Sequence, residues 1–117
     1  MPKNGIVFLV EDDQYLRRVE KLWVESENNK VVLEASSLAE ALEKVKSAKE
    51  EGVNVGVIDG SLDSGPTNGP QVAEALKRAV PGVKIISFSG EQVEWGDENP
   101  MKPDNITKLG KIVAKLL

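Results

Sequence analysis

The sequence predicts an α/β three-layer sandwich with a parallel sheet at its centre. Short apolar runs rich in β-branched residues, at 5–10, 31–33, 53–59 and 83–88, alternate with longer segments of helical periodicity. Near-continuous apolar runs suit strands covered by helices on both faces, the condition of a parallel sheet. The most telling is Val53-Asn54-Val55-Gly56-Val57-Ile58-Asp59-Gly60, too short for a helix and ending abruptly in a carboxylate and a glycine. Two others also end in polar groups: 6–10 runs into Glu11, Asp12 and Asp13, and 83–88 into Ser89-Gly90. Lys102-Pro103 stands just before the last helical segment. Ligands of open α/β sheets sit beyond the carboxyl ends of the strands, so these groups form the candidate site.

Taken in order, 5–10 is the first strand. Asp12 or Asp13 caps a helix reaching Glu27, with Leu16, Val19, Leu22 and Trp23 at helical spacing and an acidic start that suits the helix dipole. Asn28-Asn29 ends it, and 31–33 is a second short strand. Ser37-Leu38-Ala39-Glu40 matches a capping box, with Leu38, Leu42, Val45 and Ala48 as the buried stripe of the second helix. Glu51-Gly52 closes that helix, and 53–59 follows as the third strand. A loop at 60–69, rich in Gly, Ser, Asp and Pro, leads to Pro70 at the first position of the third helix. Val72, Ala73, Leu76 and Val80 form its core stripe, Pro81-Gly82 stops it, and 83–88 is the fourth strand.

Only twelve residues, 90–101, separate Ser89 from Lys102. A crossover helix with its connections and a following strand needs more, so one turn or plain loop is expected here. A fifth strand must be very short, since Met101 alone is apolar beside Lys102. Asp104 then caps the last helix, with Ile106, Leu109, Ile112, Val113 and Leu116 facing inward. The order is β-α-β-α-β-α-β-loop-β-α. It has no internal repeat or linker, and the chain is read as one domain over 1–117 with no output domain.

Composition narrows the chemistry. With 117 residues, 40% hydrophobic and 29% charged, the chain fits a single soluble globular domain. Aromatics make up 4%, so the core is aliphatic. The net charge of −4, with both signs interspersed, leaves no basic stripe for nucleic acid. No apolar run is long enough to span a membrane, and Met1-Pro2-Lys3-Asn4 leads into a strand without the features of a signal peptide. There is no cysteine and no histidine, so disulfides, thiolate metal sites and imidazole bases are excluded. Carboxylates, hydroxyls and lysines must carry the chemistry, and a cytoplasmic location is expected.

Three or more carboxylates, one hydroxyl and one lysine at neighbouring strand ends make a site for Mg²⁺ and a phosphoryl group. Four features in this order, Val10-Glu11-Asp12-Asp13, Ile58-Asp59, Ser89-Gly90 and Lys102-Pro103, resemble the response-regulator receiver domains of two-component phosphorelays. The resemblance covers essentially the whole chain. It implies a five-stranded parallel sheet of flavodoxin-like type, here with the fourth helix reduced or absent, and Asp59 as phosphoacceptor. It further implies Mg²⁺ held by Glu11, Asp12, Asp59 and the backbone carbonyl of Ser61. Lys102 would pair with Asp59 or a phosphoryl oxygen, and the Ser89 hydroxyl, rather than that of Ser87, would bond another. The implied partner is a sensor histidine kinase or histidine phosphotransfer protein, met through Gln14, Tyr15, Arg18, Leu22 and Pro103.

The chain departs from the family pattern in three places. Asp63 stands where the family usually has proline, with Gly69 about two residues late; the fourth-helix segment is cut short; and Asn99 replaces the usual aromatic three residues before the lysine. The leading reading is a phosphoacceptor acting as shuttle, sink or minimal switch. The alternative is a receiver-like interaction module that is not phosphorylated. An Mg²⁺-dependent phosphohydrolase would need a second acid or base near Asp59, and position 61 is serine. Asp13 is expected to be a helix cap, Trp23 and Trp95 packing groups, and Asp63 a solvated loop residue.

Overall fold

The computed structural model describes residues 4–117, so the reading of Met1, Pro2 and Lys3 lies outside the described residues. Four strands, β1 (Ile6–Val10), β2 (Lys30–Ala35), β3 (Val55–Asp59) and β4 (Lys84–Phe88), form a parallel sheet in the order β2-β1-β3-β4. The helices are α1 (Gln14–Glu25), α2 (Leu38–Ala48), α3 (Asn68–Ala79) and α4 (Leu109–Lys115). Side chains alternate across a strand, which sorts the core into two layers. Phe8, Val10, Ile58 and Ile85 meet Ala41 and Val45 of α2 and Val72 and Leu76 of α3 on one face. Val7, Leu9, Val57, Ile86 and Phe88 meet Val24 of α1 and Leu109 and Val113 of α4 on the other. β3 lies in the middle, buried at all five positions. None of the described helices is long and apolar enough to cross a membrane.

The expected fifth strand does not form. Residues 97–102 instead lie along the outer edge of β4, making two isolated parallel bridges, Ile86 to Glu98 and Ser89 to Met101. Asp97 N–H donates to the Ile85 carbonyl at 2.7 Å, and the Asp97 carboxylate accepts from Ile85 N–H at 2.8 Å. Ser87 N–H donates to Glu98 O, and Lys102 N–H to Ser89 O. The edge of β4 is thus satisfied partly by a side chain. Pro100 has no N–H to give, and the segment is too polar to be buried as a strand. Between β4 and a 3₁₀ turn at Ile106–Lys108 the described residues contain no helix, so the fourth helix of the resemblance is absent.

Other boundaries shift for local reasons. α1 stops at Glu25 rather than Glu27, with Asn28 at a left-handed φ of 65°. Its inward positions are Glu20 and Val24, while Leu22 and Trp23 are exposed. In α2, Ala41 is buried where Leu42 was expected, and Leu42 lies at the surface. Ser37 caps that helix through Glu40 N–H, but Glu40 returns the bond to Ser36 N–H rather than to Ser37. α3 begins at Asn68, so Pro70 is its third residue, still among the first four, whose N–H groups find no partner within the helix. Asp104 does not cap the last helix, which follows the 3₁₀ turn without a side-chain cap.

Candidate functional site

The parallel register brings the carboxyl ends of β1, β3 and β4 to one edge. Val10 pairs with Ile58, and Asp59 with Phe88. The residues that follow, Glu11 and Ser89, are buried, as is Asp59, which is 2% exposed. The bridge from Ser89 to Met101 carries Lys102 to the same edge. Its ammonium donates to Glu11 Oε1 at 2.7 Å and to Asp59 Oδ1 at 3.1 Å, and lies 5.8 Å from the centre of the Phe88 ring. The Lys102–Pro103 peptide bond is cis.

The two oxygens of Asp59 have different surroundings. Oδ1 accepts from Lys102 Nζ, from Ser61 N–H at 3.0 Å and, at 3.4 Å, from the Ser61 hydroxyl. Oδ2 takes no amide, hydroxyl or ammonium hydrogen bond among the described residues. Burial pushes the Asp59 carboxyl up, but the Ser61 amide, the Lys102 charge and hydrogen bonds with Glu11 and Lys102 together more than offset it and hold the group below the usual carboxylate range. Burial likewise opposes the charge on Lys102, yet Glu11 and Asp59 hold its pKa above the ordinary lysine value. The result is an ionised carboxylate clamped at Oδ1.

Glu11, Asp12 and Asp59 each place an oxygen within 4.8 Å of the others. Hard carboxylate oxygens at this spacing suit a divalent cation such as Mg²⁺, so the residues fit the metal. The Ser61 carbonyl accepts from Ser64 N–H at 2.8 Å, which leaves it a second lone pair. Asp12 is exposed; its Oδ2 accepts from Asp63 N–H at 2.8 Å. Asp13 is the cap of α1, through Leu16 N–H.

Ser89 borders a cleft at this edge together with Gly60, Ser61, Ser64, Pro66, Gly90, Glu91 and Val93, and its hydroxyl accepts from Glu91 N–H at 3.1 Å. A Cβ on Gly60 would stand 2.6 Å from Ser89 Oγ, so glycine at 60 is what allows the hydroxyl to lie against the end of β3. Ser87 faces away from this cleft and donates to Asn99 Oδ1 at 2.6 Å. Asn99 also accepts from Gly96 N–H and donates to Gly96 O, which pins the segment beside β4. Trp95 packs on Gly69, as a packing group should. The five residues expected to meet a partner, Gln14, Tyr15, Arg18, Leu22 and Pro103, are all exposed.

Sequence reasoning missed two residues. Glu20 is 1% exposed, and its Oε2 has no hydrogen-bond partner. Burial, then its contact with Glu11, pushes its carboxyl up to about 10, so it holds a proton and shares it with Glu11. Glu11 itself is raised, chiefly by burial, and drawn back by Glu20 and Lys102. The signal was present: Glu20 sits four residues after Leu16 and four before Val24, on the inward stripe. The second is Asp63, exposed as expected but not a free loop residue, since its carboxylate accepts from Leu38 N–H at 2.8 Å.

A family model described as "Response regulator receiver domain" matches residues 7–101. No curated protein matches the chain. Among solved structures, the chain is similar to a CheY-like response regulator receiver domain protein from Methanospirillum hungatei JF-1, with 26% identity and a TM-score of 0.76, covering 97% of this chain and 94% of that one. The receiver domain of the hybrid histidine kinase CckA superposes with a TM-score of 0.79 at 22% identity, covering 97% and 99% of the two chains. A chain of a CheX–CheY complex with BeF₃ and Mg²⁺ from Borrelia burgdorferi gives a TM-score of 0.79 at 16% identity, over 96% and 88%.

Proposed function

This chain belongs to the response regulator receiver domain family, and from that premise we propose that it accepts a phosphoryl group on Asp59 from a partner phosphohistidine, as a shuttle, sink or minimal switch of two-component signalling. The observation that carries this reading is the setting of Asp59: Lys102 and Ser61 clamp Oδ1, Oδ2 takes no amide, hydroxyl or ammonium hydrogen bond among the described residues, and Glu11 and Asp12 each bring an oxygen within 4.8 Å of the group. A carboxylate oxygen of Asp59 forms a bond to phosphorus as the phosphorus–nitrogen bond of the donor breaks, and the leaving imidazole keeps that electron pair. Lys102 and the Ser89 hydroxyl each take one oxygen of the transferred group. Glu11, Asp12, Asp59 and the Ser61 carbonyl would hold Mg²⁺, whose chemistry is to offset the charge that gathers as two anions meet. Return of the group to a partner, or attack by water, resets the site, so the protein modifies itself rather than turning over a substrate.

These 117 residues hold no histidine, so the donor is a phosphohistidine outside them or a small acyl phosphate. A sensor kinase or phosphotransfer protein would dock on Gln14, Tyr15, Arg18 and Leu22 of α1 beside Pro103. This reading places the protein in the cytoplasm.

The alternative, an interaction module without phosphorylation, draws on one observation. Asn99, where the family's usual aromatic stands, is fixed by three hydrogen bonds. Acetyl phosphate with Mg²⁺, followed by intact mass spectrometry, separates the two. One phosphoryl adduct that needs both the metal and Asp59, and is missing from Asp59→Asn, is expected. An unmodified protein, with no change in its amide spectrum on adding Mg²⁺ or beryllofluoride, would leave only the interaction module.

A further inference from the structure

Asp63 connects the loop after β1 to the first turn of α2. Its N–H donates to Asp12 Oδ2 at 2.8 Å, and its own Oδ2 accepts from Leu38 N–H at 2.8 Å. Leu38 is the first residue of α2, whose cap Ser37 is already used on Glu40 N–H. Asp63 lies in a 3₁₀ turn at Leu62–Ser64, and both it and Ser64 have left-handed backbones, φ 55° and 59°. Such a conformation costs free energy for residues with a Cβ. The turn is held by Ser64 N–H to Ser61 O and by the Asn68 side chain to Leu62 O at 3.0 Å. The left-handed turn aims the Asp63 amide at Asp12 while its side chain reaches α2.

We propose that Asp63 is the positioning residue of the metal site: its amide orients Asp12, and its carboxylate ties that orientation to the first turn of α2. The proposal rests on the Mg²⁺ reading above. A carboxylate on a flexible loop loses rotamer freedom when it binds an ion, and a bond that fixes it beforehand removes that cost. The amide occupies Oδ2 of Asp12. Oδ1 takes no hydrogen bond among the described residues, and one oxygen of Asp12 stands within 4.8 Å of oxygens of Glu11 and Asp59. Any movement of Asp12 on binding pulls on Asp63 and, through it, on Leu38.

The test is an amide-resolved titration with MgCl₂ of the wild type, Asp63→Asn and Asp63→Gly. Glycine tolerates the left-handed backbone and keeps the N–H but cannot reach Leu38; asparagine keeps both bonds. In the wild type the Leu38 amide is expected to shift with the same midpoint as the residues around Asp59. In Asp63→Gly the Leu38 response is expected to vanish and the Mg²⁺ dissociation constant to rise on the order of fivefold, the equivalent of one ordinary hydrogen bond. Asp63→Asn should stay within about twofold of the wild type. A wild-type Leu38 amide that ignores Mg²⁺ while the site binds it overturns the proposal alone, whether or not the glycine variant folds. So does a glycine variant with unchanged affinity and response. No Mg²⁺ response anywhere in the wild type overturns the metal reading and the positioning role together.

Discussion

Glu20 shows how one side chain sets the electrostatics of the site. It is a carboxyl group in a helix stripe otherwise made of aliphatic residues, buried against Glu11 with one oxygen unpartnered. The native state keeps its proton up to about 10, while an unfolded glutamate loses it near 4.5. The folded protein therefore binds one more proton than the unfolded chain between those values, and stability falls as pH rises across that window. At neutral pH the cost is on the order of 3 kcal/mol. Glu20→Gln keeps a donor for Glu11 and removes the titration. Urea unfolding is expected to show the variant gaining on the wild type by about 4 kcal/mol between pH 5 and pH 8. Parallel pH profiles for the two proteins would show that Glu20 does not hold its proton. Nothing in a motif points to Glu20; only its helical phase does, and a lone glutamate on that phase is seldom buried.

At the scale of elements, the junction of α1, β1 and α4 rests on Asn29. Its Oδ1 accepts from Gly5 N–H at 3.0 Å, and its Nδ2 donates to Val24 O and Gly110 O, each at 3.0 Å. Gly110 lets α4 approach closely: a Cβ there would stand 2.5 Å from Trp23 O. Asn29→Ala leaves one buried donor and two carbonyls without these partners, and a loss of about 2–4 kcal/mol is expected in urea unfolding. Asn28→Gly, at a left-handed position next door, should be neutral or stabilising. Equal effects at the two positions would show that the side chain of Asn29 does not hold the junction. From sequence, Asn28-Asn29 read only as a helix stop, because the carbonyls that Asn29 reaches lie five and 81 residues away. The missing fifth strand has a similar origin. Twelve residues predicted a shortened segment, but its bonding to β4 through Asp97 and Asn99 depends on where the chain folds back.

For the whole molecule, the site gathers Glu11, Asp12 and Asp59 at one edge against a single lysine, a concentration of negative charge that a divalent cation relieves. Mg²⁺ binding only the native state at ten times its dissociation constant adds about 1.4 kcal/mol. For a domain of this size that is a rise in Tm of about 5 °C, measurable by thermal unfolding with and without MgCl₂. Glu11→Gln should abolish the rise. A Tm that does not respond to Mg²⁺ would mean the carboxylates are balanced without the ion.

By itself, the sequence determined the alternation of elements, the four apolar strands, the shortened segment before Lys102 and the polar residues at the strand ends. These follow from local rules: side-chain periodicity, turn residues and loop length act over a few neighbours. Tertiary structure decided which way each helix faces. Leu22 and Leu42 turned outward and Glu20 and Ala41 inward, because a helix rotates to fill the layer it meets rather than to bury its largest residues. It also decided how Lys102 bridges Glu11 and Asp59, which oxygen of Asp59 is clamped, and that Asp63 reaches both Asp12 and α2. Those contacts join residues 25 to 91 positions apart, and only the register of the folded sheet sets such distances.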